Sequence, residues 1–489
     1  MNAIAQESAQ QLSPEQKYAF EKCKRGENLF ISGPGGTGKS KLIQTIIQHM
    51  QEVGRKYQVC AMTGCAAVLL NCGARTIHSW SGIKLGKGTA DKIVTSILRN
   101  RKVCAEWRKT AVLIVDEVSM MSAKMFDLLD VVARAVRKIP RPFGGMQIIF
   151  TGDFFQLPPV SGEGEDEASG KFCFQSEQWK HVFPVKQCIL LTTIFRQTDP
   201  TYIAILDQIR RGVLSQENAE ILKQHVNRPY FPEQHNGCVP TKLYPVRSKV
   251  DYINRHMFET LAQDEYEYEF IQKTNASLYM DSKKLIPISD KLKAGELSAK
   301  ELEYEIDALI NHSRCSRNLF LKIGAAVMCT INLNVELGIC NGSQGIIVDF
   351  AESSEEGFAE IPIVRFSNGI TMRIGVHYWQ SEEYPSIAVG QIPLCLAWAM
   401  TIHKIQGATL KMAEIDIGNR VFEYGQTYVA LSRIQSLDGL YLSSFQPERI
   451  KANPHVVAFY DSIPPCDVSH PTEPVVDRCV DPTVKRIHL

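Results

Sequence analysis

The sequence predicts an α/β protein with a mainly parallel sheet, on three observations. A glycine-rich segment, Gly33-Pro-Gly-Gly-Thr-Gly-Lys-Ser40, lies between a short apolar run, Asn28–Ser32, and a segment whose Leu42, Ile43, Ile46, Ile47 and Met50 fall at helical spacing. Strand-like runs at 28–32, 57–62, 111–115, 146–151 and 187–192 alternate with helical patterns. The alternation breaks after about 261 and resumes at Pro393. Alternating strands and helices pack as a parallel sheet with helices on its faces.

The elements follow in order. Residues 1–12 are polar and expected to be loose. Ser13-Pro-Glu-Gln16 has the form of a helix start, with an N-cap Ser, a Pro at the first helical position and a Gln three after the cap. After Asp116, the residues Phe126, Leu129, Val132, Ala133 and Val136 share one helix face. A second α/β region begins with helices at Tyr202–Arg211 and about Val250–Leu261. The stretch 262–318 is charged, is expected to be helical in part and carries no readable motif. From 319 to 377 the pattern turns to β: Val364, Phe366, Ile370, Met372 and Ile374 flank Asn368-Gly369, a hairpin signal. A small inserted β-domain is the simplest account. The tail, 462–489, contains five prolines and is expected to be disordered.

Composition bounds the function. A chain of 489 residues is long enough for roughly two to four domains. The formal net charge is +1, so bulk charge announces no nucleic-acid partner and any such contact must be local. The 14 cysteines include no C-x-x-C pair, which favours reduced thiols in an intracellular protein over a metal site. No apolar run of membrane-spanning length exists, and Met1–Ser13 lacks the basic and apolar regions of a targeting signal.

Residues 33–40 match the phosphate-loop pattern G-x-x-x-x-G-K-[ST]. Glycines let the backbone turn so that N–H groups converge on phosphate oxygens. Gly33, Gly35, Gly36, Thr37 and Gly38 would form that cradle, Lys39 would reach the β- and γ-phosphates, and Ser40 would ligate Mg²⁺. Ala111-Val-Leu-Ile-Val-Asp-Glu117 puts two carboxylates at the end of an apolar strand, where open α/β sheets bind ligands. Asp116 would complete the magnesium shell with Ser40, and Glu117 would orient the attacking water. In Gly152-Asp-Phe-Phe-Gln-Leu-Pro-Pro159, Gln156 stands where an amide could contact the γ-phosphate or its water; a Pro-terminated turn is the competing reading.

Together with Gln16, Thr63-Gly-Cys-Ala-Ala67, Thr76-Ile-His-Ser79, Ile194-Phe-Arg-Gln197, Thr401-Ile-His-Lys-Ile-Gln-Gly407 and Tyr428-Val-Ala-Leu-Ser-Arg433, these motifs form an ordered set. Ala133–Arg137, Pro142–Gly145 and Asn341-Gly-Ser343 extend it. In that set the chain resembles the PIF (petite integration frequency) family of DNA helicases, in the 5′-to-3′ branch of superfamily one, over about residues 12–461.

The resemblance implies two RecA-like domains, 13–187 and 188–261 with 392–461, with ATP and Mg²⁺ between them. It also implies a wedge insert at about 84–109 in the first and an insert at 262–391 in the second, SH3-like from about 319. Arg196 and Arg433 would be arginine fingers from the second domain. Thr63, His78, Ser79, His403, Lys404 and Gln406 would line a single-strand channel. Gln16 would read the adenine edge, although its place in a capping box competes for the same side chain. Trp80 and Phe155 could stack on bases, but buried aromatics are commoner. Ile405 replaces a small residue usual in the family. The implied activity is ATP-dependent, 5′-to-3′ unwinding of DNA by an intracellular protein, in the nucleus first, with single-stranded DNA and junctions as partners. The protein is expected to be a monomer with no membrane contact, and its tail could dock a partner. A translocase that strips proteins from DNA and an RNA-directed helicase are the alternatives.

Overall fold

The computed structural model describes residues 12–466 except 71, 84–88, 160–166, 275–296, 314–315, 335, 354–357, 382–383, 385 and 420. The expected loose N-terminus, most of the acidic run at 163–167 and most of the tail lie outside the described residues.

Six strands form one parallel sheet: β1 (Leu29–Ser32), β2 (Tyr57–Ala61), β3 (Arg75–Thr76), β4 (Val112–Asp116), β5 (Gln147–Gly152) and β6 (Cys188–Leu190), in the order β3-β2-β4-β5-β1-β6. Strands β1, β4 and β5 are buried along their whole length. Burial on both faces is why they read as unbroken apolar runs. Successive side chains serve opposite faces. Leu29, Ile31, Val112, Ile114 and Ile149 join helices α1 (Pro14–Lys24) and α2 (Lys39–Glu52) on one side. Phe30, Leu113, Val115, Ile148 and Phe150 join α3 (Ala123–Arg137) on the other. From β1 the chain crosses to β2, past β5 and β4, so the loop after β1 opens on a crevice at the strand ends.

The second sheet is also parallel: β7 (Thr241–Tyr244), β8 (Ala399–Thr401), β9 (Ala413–Ile417) and β10 (Leu440–Phe445), in the order β8-β7-β9-β10. Its core gathers Tyr202, Ile205 and Ile209 from the helix Pro200–Arg210 with Leu243, Ile405, Ile415 and Val429. Ile405 is fully buried there, which gives its bulk a packing role.

Between β7 and β8 the chain builds antiparallel sheets. The largest has five strands, among them Gln344–Glu352, Glu360–Phe366 and Thr371–Arg373. Gly369, at φ 89°, closes the last hairpin. Strand structure starts earlier than the sequence suggests. Tyr266–Glu269 pairs with Asn318–Leu321, Ile271–Lys273 joins a three-stranded sheet, and Ala299–Ser313 is a helix. The short strands carry too little alternation to stand out in a charged segment.

Other boundaries shift for packing reasons. The last helix, Pro454–Asp461, follows the second sheet in sequence, yet Val456 and Tyr460 are buried in the first domain's core. Leu12 and Ile463 are buried too. Within 84–109, Trp107 is fully buried, its ring centroid 4.4 Å from that of Trp80, and its Nε1 donates to Ser81 O at 3.0 Å. Cys104 and Trp107 anchor the helix Arg101–Lys109 in the first core. Trp80 and Phe155 are buried, so neither ring is free for a base. Among the described residues no helix is long and apolar enough to cross a membrane.

Candidate functional site: a phosphate loop facing two arginines

The loop after β1 turns into α2 through Gly36 at φ 91° and Gly38 at φ 76°. A Cβ on Gly36 would lie 2.6 Å from Arg196 Cβ, so this position needs glycine for both conformation and space. Lys39 Nζ donates to Gly33 O at 2.6 Å and Pro34 O at 3.0 Å. Burial disfavours its charge, while Asp153, Glu117 and Asp116 favour it.

Gln16 turns out to serve both the cap and the loop. Its Oε1 accepts from Ser13 N–H at 3.0 Å, completing the capping box. Its Nε2 donates to Thr37 O at 3.0 Å and Gly38 O at 3.3 Å. The amide thereby straps α1 to the phosphate loop, and both of its ends are engaged.

The carboxylates stand at the end of β4. Asp116 Oδ1 accepts from Glu117 N–H at 2.9 Å and from the Thr151 hydroxyl on β5. Glu117 adopts φ 55°, a left-handed conformation that costs a residue with a side chain roughly 1–2 kcal/mol. Such strain collects at functional sites. Burial, and then the Asp116 charge, push the Glu117 carboxyl up to about 7. Gln406 Nε2 donates to Glu117 Oε2 at 3.1 Å and to Gln156 Oε1 at 3.4 Å. Gln156 is buried at this junction.

The opposite wall comes from the second sheet and its approach. Arg433 is buried, donating from Nε to Val429 O at 3.0 Å and from Nη2 to Ser432 Oγ at 2.9 Å. A Cβ on Gly35 would lie 3.4 Å from Arg433 Nη2, which puts the guanidinium against the phosphate loop. Arg196, on the segment joining β6 to the second core, donates from Nη1 to Ser432 O at 3.0 Å. Burial, and then the Arg433 charge, disfavour its ionised form.

Three participants escaped the residue-by-residue reading. The Tyr428 hydroxyl accepts from Gly35 N–H at 2.9 Å, and Gln197 Nε2 donates to Ser432 O at 3.2 Å and Ile434 O at 3.0 Å. Both lie inside recognised motifs, which was the available signal. Thr151 had none beyond its place at a strand end.

Ser40, Asp116, Glu117 and Gln406 line one cavity of about 240 Å³. Its hydroxyl and carboxylate oxygens suit a hard cation such as Mg²⁺, which takes one or two carboxylates together with water and phosphate oxygens. Among the described residues no group of three or more His, Cys, Asp or Glu could hold a metal ion.

The residues expected along a single-strand channel divide. His403 and Lys404 are exposed, Ser79 is exposed and His78 half-buried. Thr63 Oγ1 caps a helix by accepting from Ala66 N–H at 3.2 Å. Gln406 does not join them: its bonds to Glu117 and Gln156 turn it into the cleft.

Comparison with known proteins adds ancestry. Residues 11–220 match the model of the PIF1-like helicase family, and residues 308–350 that of the DNA helicase Pif1 2B domain. The ATP-dependent DNA helicase PIF1 of Xenopus laevis is 34% identical over 92% of this chain, and the chain spans 64% of that relative's length. The crystal structure of Pif1 helicase from Candida albicans is 32% identical with TM-score 0.68, covering 92% of this chain and 99% of that one. Pif1 helicase from Bacteroides in complex with ADP-AlF3 and ssDNA is 26% identical with TM-score 0.58, covering 92% of this chain and 96% of that one.

Proposed function

We propose a function from one premise: this chain belongs to the PIF1-like helicase family. It hydrolyses ATP in the cleft between its two parallel sheets and uses the cycle to move 5′-to-3′ along single-stranded DNA, separating duplex ahead of it. The observation that carries this reading is the cleft itself. The phosphate loop and the Asp116–Glu117 pair belong to one sheet, and Arg433 reaches Gly35 from the other.

Each residue then has a task. The loop amides and Lys39 hold the β- and γ-phosphates, for which Lys39 exchanges its carbonyl partners Gly33 and Pro34. Ser40 and Asp116 would hold a magnesium ion, which would neutralise charge on the phosphates. Glu117, oriented by Gln406, accepts a proton from the attacking water, and a carboxyl titrating near neutrality suits that task. Arg196 and Arg433 neutralise charge building on the γ-phosphate. Because both walls grip that phosphate, its loss lets the cleft open. Each base-pair step opened costs roughly 1.4 kcal/mol of stacking.

The test is a strand-separation assay on tailed duplexes with Mg²⁺ and ATP. A duplex with only a 5′ tail should open and one with only a 3′ tail should not. Opening of the 3′-tailed duplex alone would refute the polarity, and ATP turnover without opening either would favour a translocase. RNA strands in parallel reactions compare nucleic acids.

A further inference from the structure

The inserted β-domain reaches the catalytic cavity. Cys340 and Asn341 line it together with Ser40, Asp116 and Glu117, although they lie more than 200 residues further along the chain. The turn that carries them is firmly held. Asn341 N–H donates to Asn332 Oδ1 at 3.0 Å, Cys340 N–H to Ser343 Oγ at 2.9 Å, and Gly342 N–H to Cys329 O at 3.0 Å. Gly342, at φ 94°, lies so near the second sheet's loop that a Cβ there would be 2.4 Å from Thr409 O. That loop also carries Gln406, the residue that holds Glu117.

One group in this turn is unsatisfied. Asn341 is 7% exposed, and its side-chain Nδ2 has no hydrogen-bond partner. An unpaired buried amide costs about 1–3 kcal/mol. The backbone around it is bonded, so the open donor is the side chain; the residue borders the cavity lined with hydroxyl and carboxylate oxygens and, on another side, a second cavity beside Met328, Cys395 and Met400. A ligand that places an oxygen acceptor there would satisfy it.

We propose that Asn341 is a positioning residue of the ATPase centre, through which the inserted domain donates a hydrogen bond to an oxygen of the bound Mg²⁺·triphosphate. The inserted domain thereby senses whether the cleft holds nucleotide. This inference rests on reading the cleft as an ATPase site.

Cys340 supplies a readout independent of turnover, because this partly exposed cysteine is one of the residues lining the same cavity. The full chain is treated with N-ethylmaleimide and alkylation of Cys340 is followed by peptide mass spectrometry. Mg²⁺ with a non-hydrolysable ATP analogue should slow alkylation about tenfold, and single-stranded DNA alone should not. In parallel, the affinities for Mg²⁺·ADP·AlF4 and for metal-free ADP are measured for wild type, Asn341→Ala and Asn341→Asp. Asn341→Ala should weaken the first about tenfold or more and leave the second unchanged. Asn341→Asp should weaken the first further, because it adds a negative charge to a residue lining the cavity that Asp116 and Glu117 also line. Equal losses for both ligands would mean a merely structural role and overturn the proposal. So would protection of Cys340 by DNA alone, or wild-type affinity in Asn341→Ala. A wild-type chain that binds no nucleotide would overturn the ATPase reading itself, and this inference with it.

Discussion

Replacing Arg210 by Met should loosen the joint between the two sheets. Arg210 ends the helix Pro200–Arg210 of the second core, and Asp153 follows β5 of the first sheet. The guanidinium meets the carboxylate twice, Nε to Oδ2 at 2.9 Å and Nη2 to Oδ1 at 2.8 Å. Asp153 is 0% exposed and Arg210 7%. The cation also lies 4.4 Å from the Phe155 ring centroid and 5.2 Å from that of Tyr460. Burial opposes its charge, but the Asp153 carboxylate outweighs burial and keeps Arg210 firmly protonated. Without the arginine, the Asp153 carboxylate keeps as hydrogen bonds, among the described residues, the Phe155 N–H and the Tyr460 hydroxyl, each at 3.3 Å from Oδ1, together with the weaker pull of the Lys39 charge. Breaking a buried pair from one side costs about 3–5 kcal/mol. For a domain of this size that is a fall in melting temperature on the order of 10 °C. Thermal unfolding of Arg210→Met, Asp153→Asn and the double variant measures it. The double variant should be markedly more stable than the sum of the singles predicts, because it leaves no uncompensated buried charge. Simple additivity, or an Arg210→Met that melts with the wild type, would refute the reasoning.

Other perturbations follow from the same geometry. Lys39→Ala should abolish DNA-stimulated ATP turnover and strand separation; wild-type unwinding by that variant would remove the phosphate loop from the motor. Arg433→Ala should largely spare nucleotide affinity and lower kcat by about 10³–10⁵; normal turnover would strip Arg433 of its role. Thr151→Val removes a hydroxyl whose hydrogen bond favours ionised Asp116. The Asp116 pKa should therefore rise, so ATPase activity is lost at a higher pH on acidification, and the Mg²⁺ concentration for half-maximal rate increases. An unchanged acid limb and magnesium requirement would argue that the Thr151 contact is incidental.

Much of the first sheet was legible because its strands are buried on both faces and its helices carry one apolar stripe. Phe126, Leu129, Val132, Ala133 and Val136 sit where the 3.6-residue period put them. In the charged stretch 262–318 the helix Ala299–Ser313 fits the expected partial helicity, but the strands were not legible, since Tyr266–Glu269 and Ile271–Lys273 are short and their partners lie up to 119 residues away. Pairing at that distance leaves no local pattern. The last helix likewise gave no sign that Val456 and Tyr460 return to the first core.

The sequence by itself determined the chemical groups of the cleft and their order along the chain, because a phosphate loop and a strand-end acidic pair depend on local spacing. Only the tertiary structure decided what faces what. It turned Gln406 onto Glu117, strapped Gln16 across the loop and brought Asn341 of the inserted domain to the catalytic cavity. Such contacts join segments up to about 300 residues apart, and side-chain hydrogen bonds over that distance are set by packing of whole domains rather than by any local pattern.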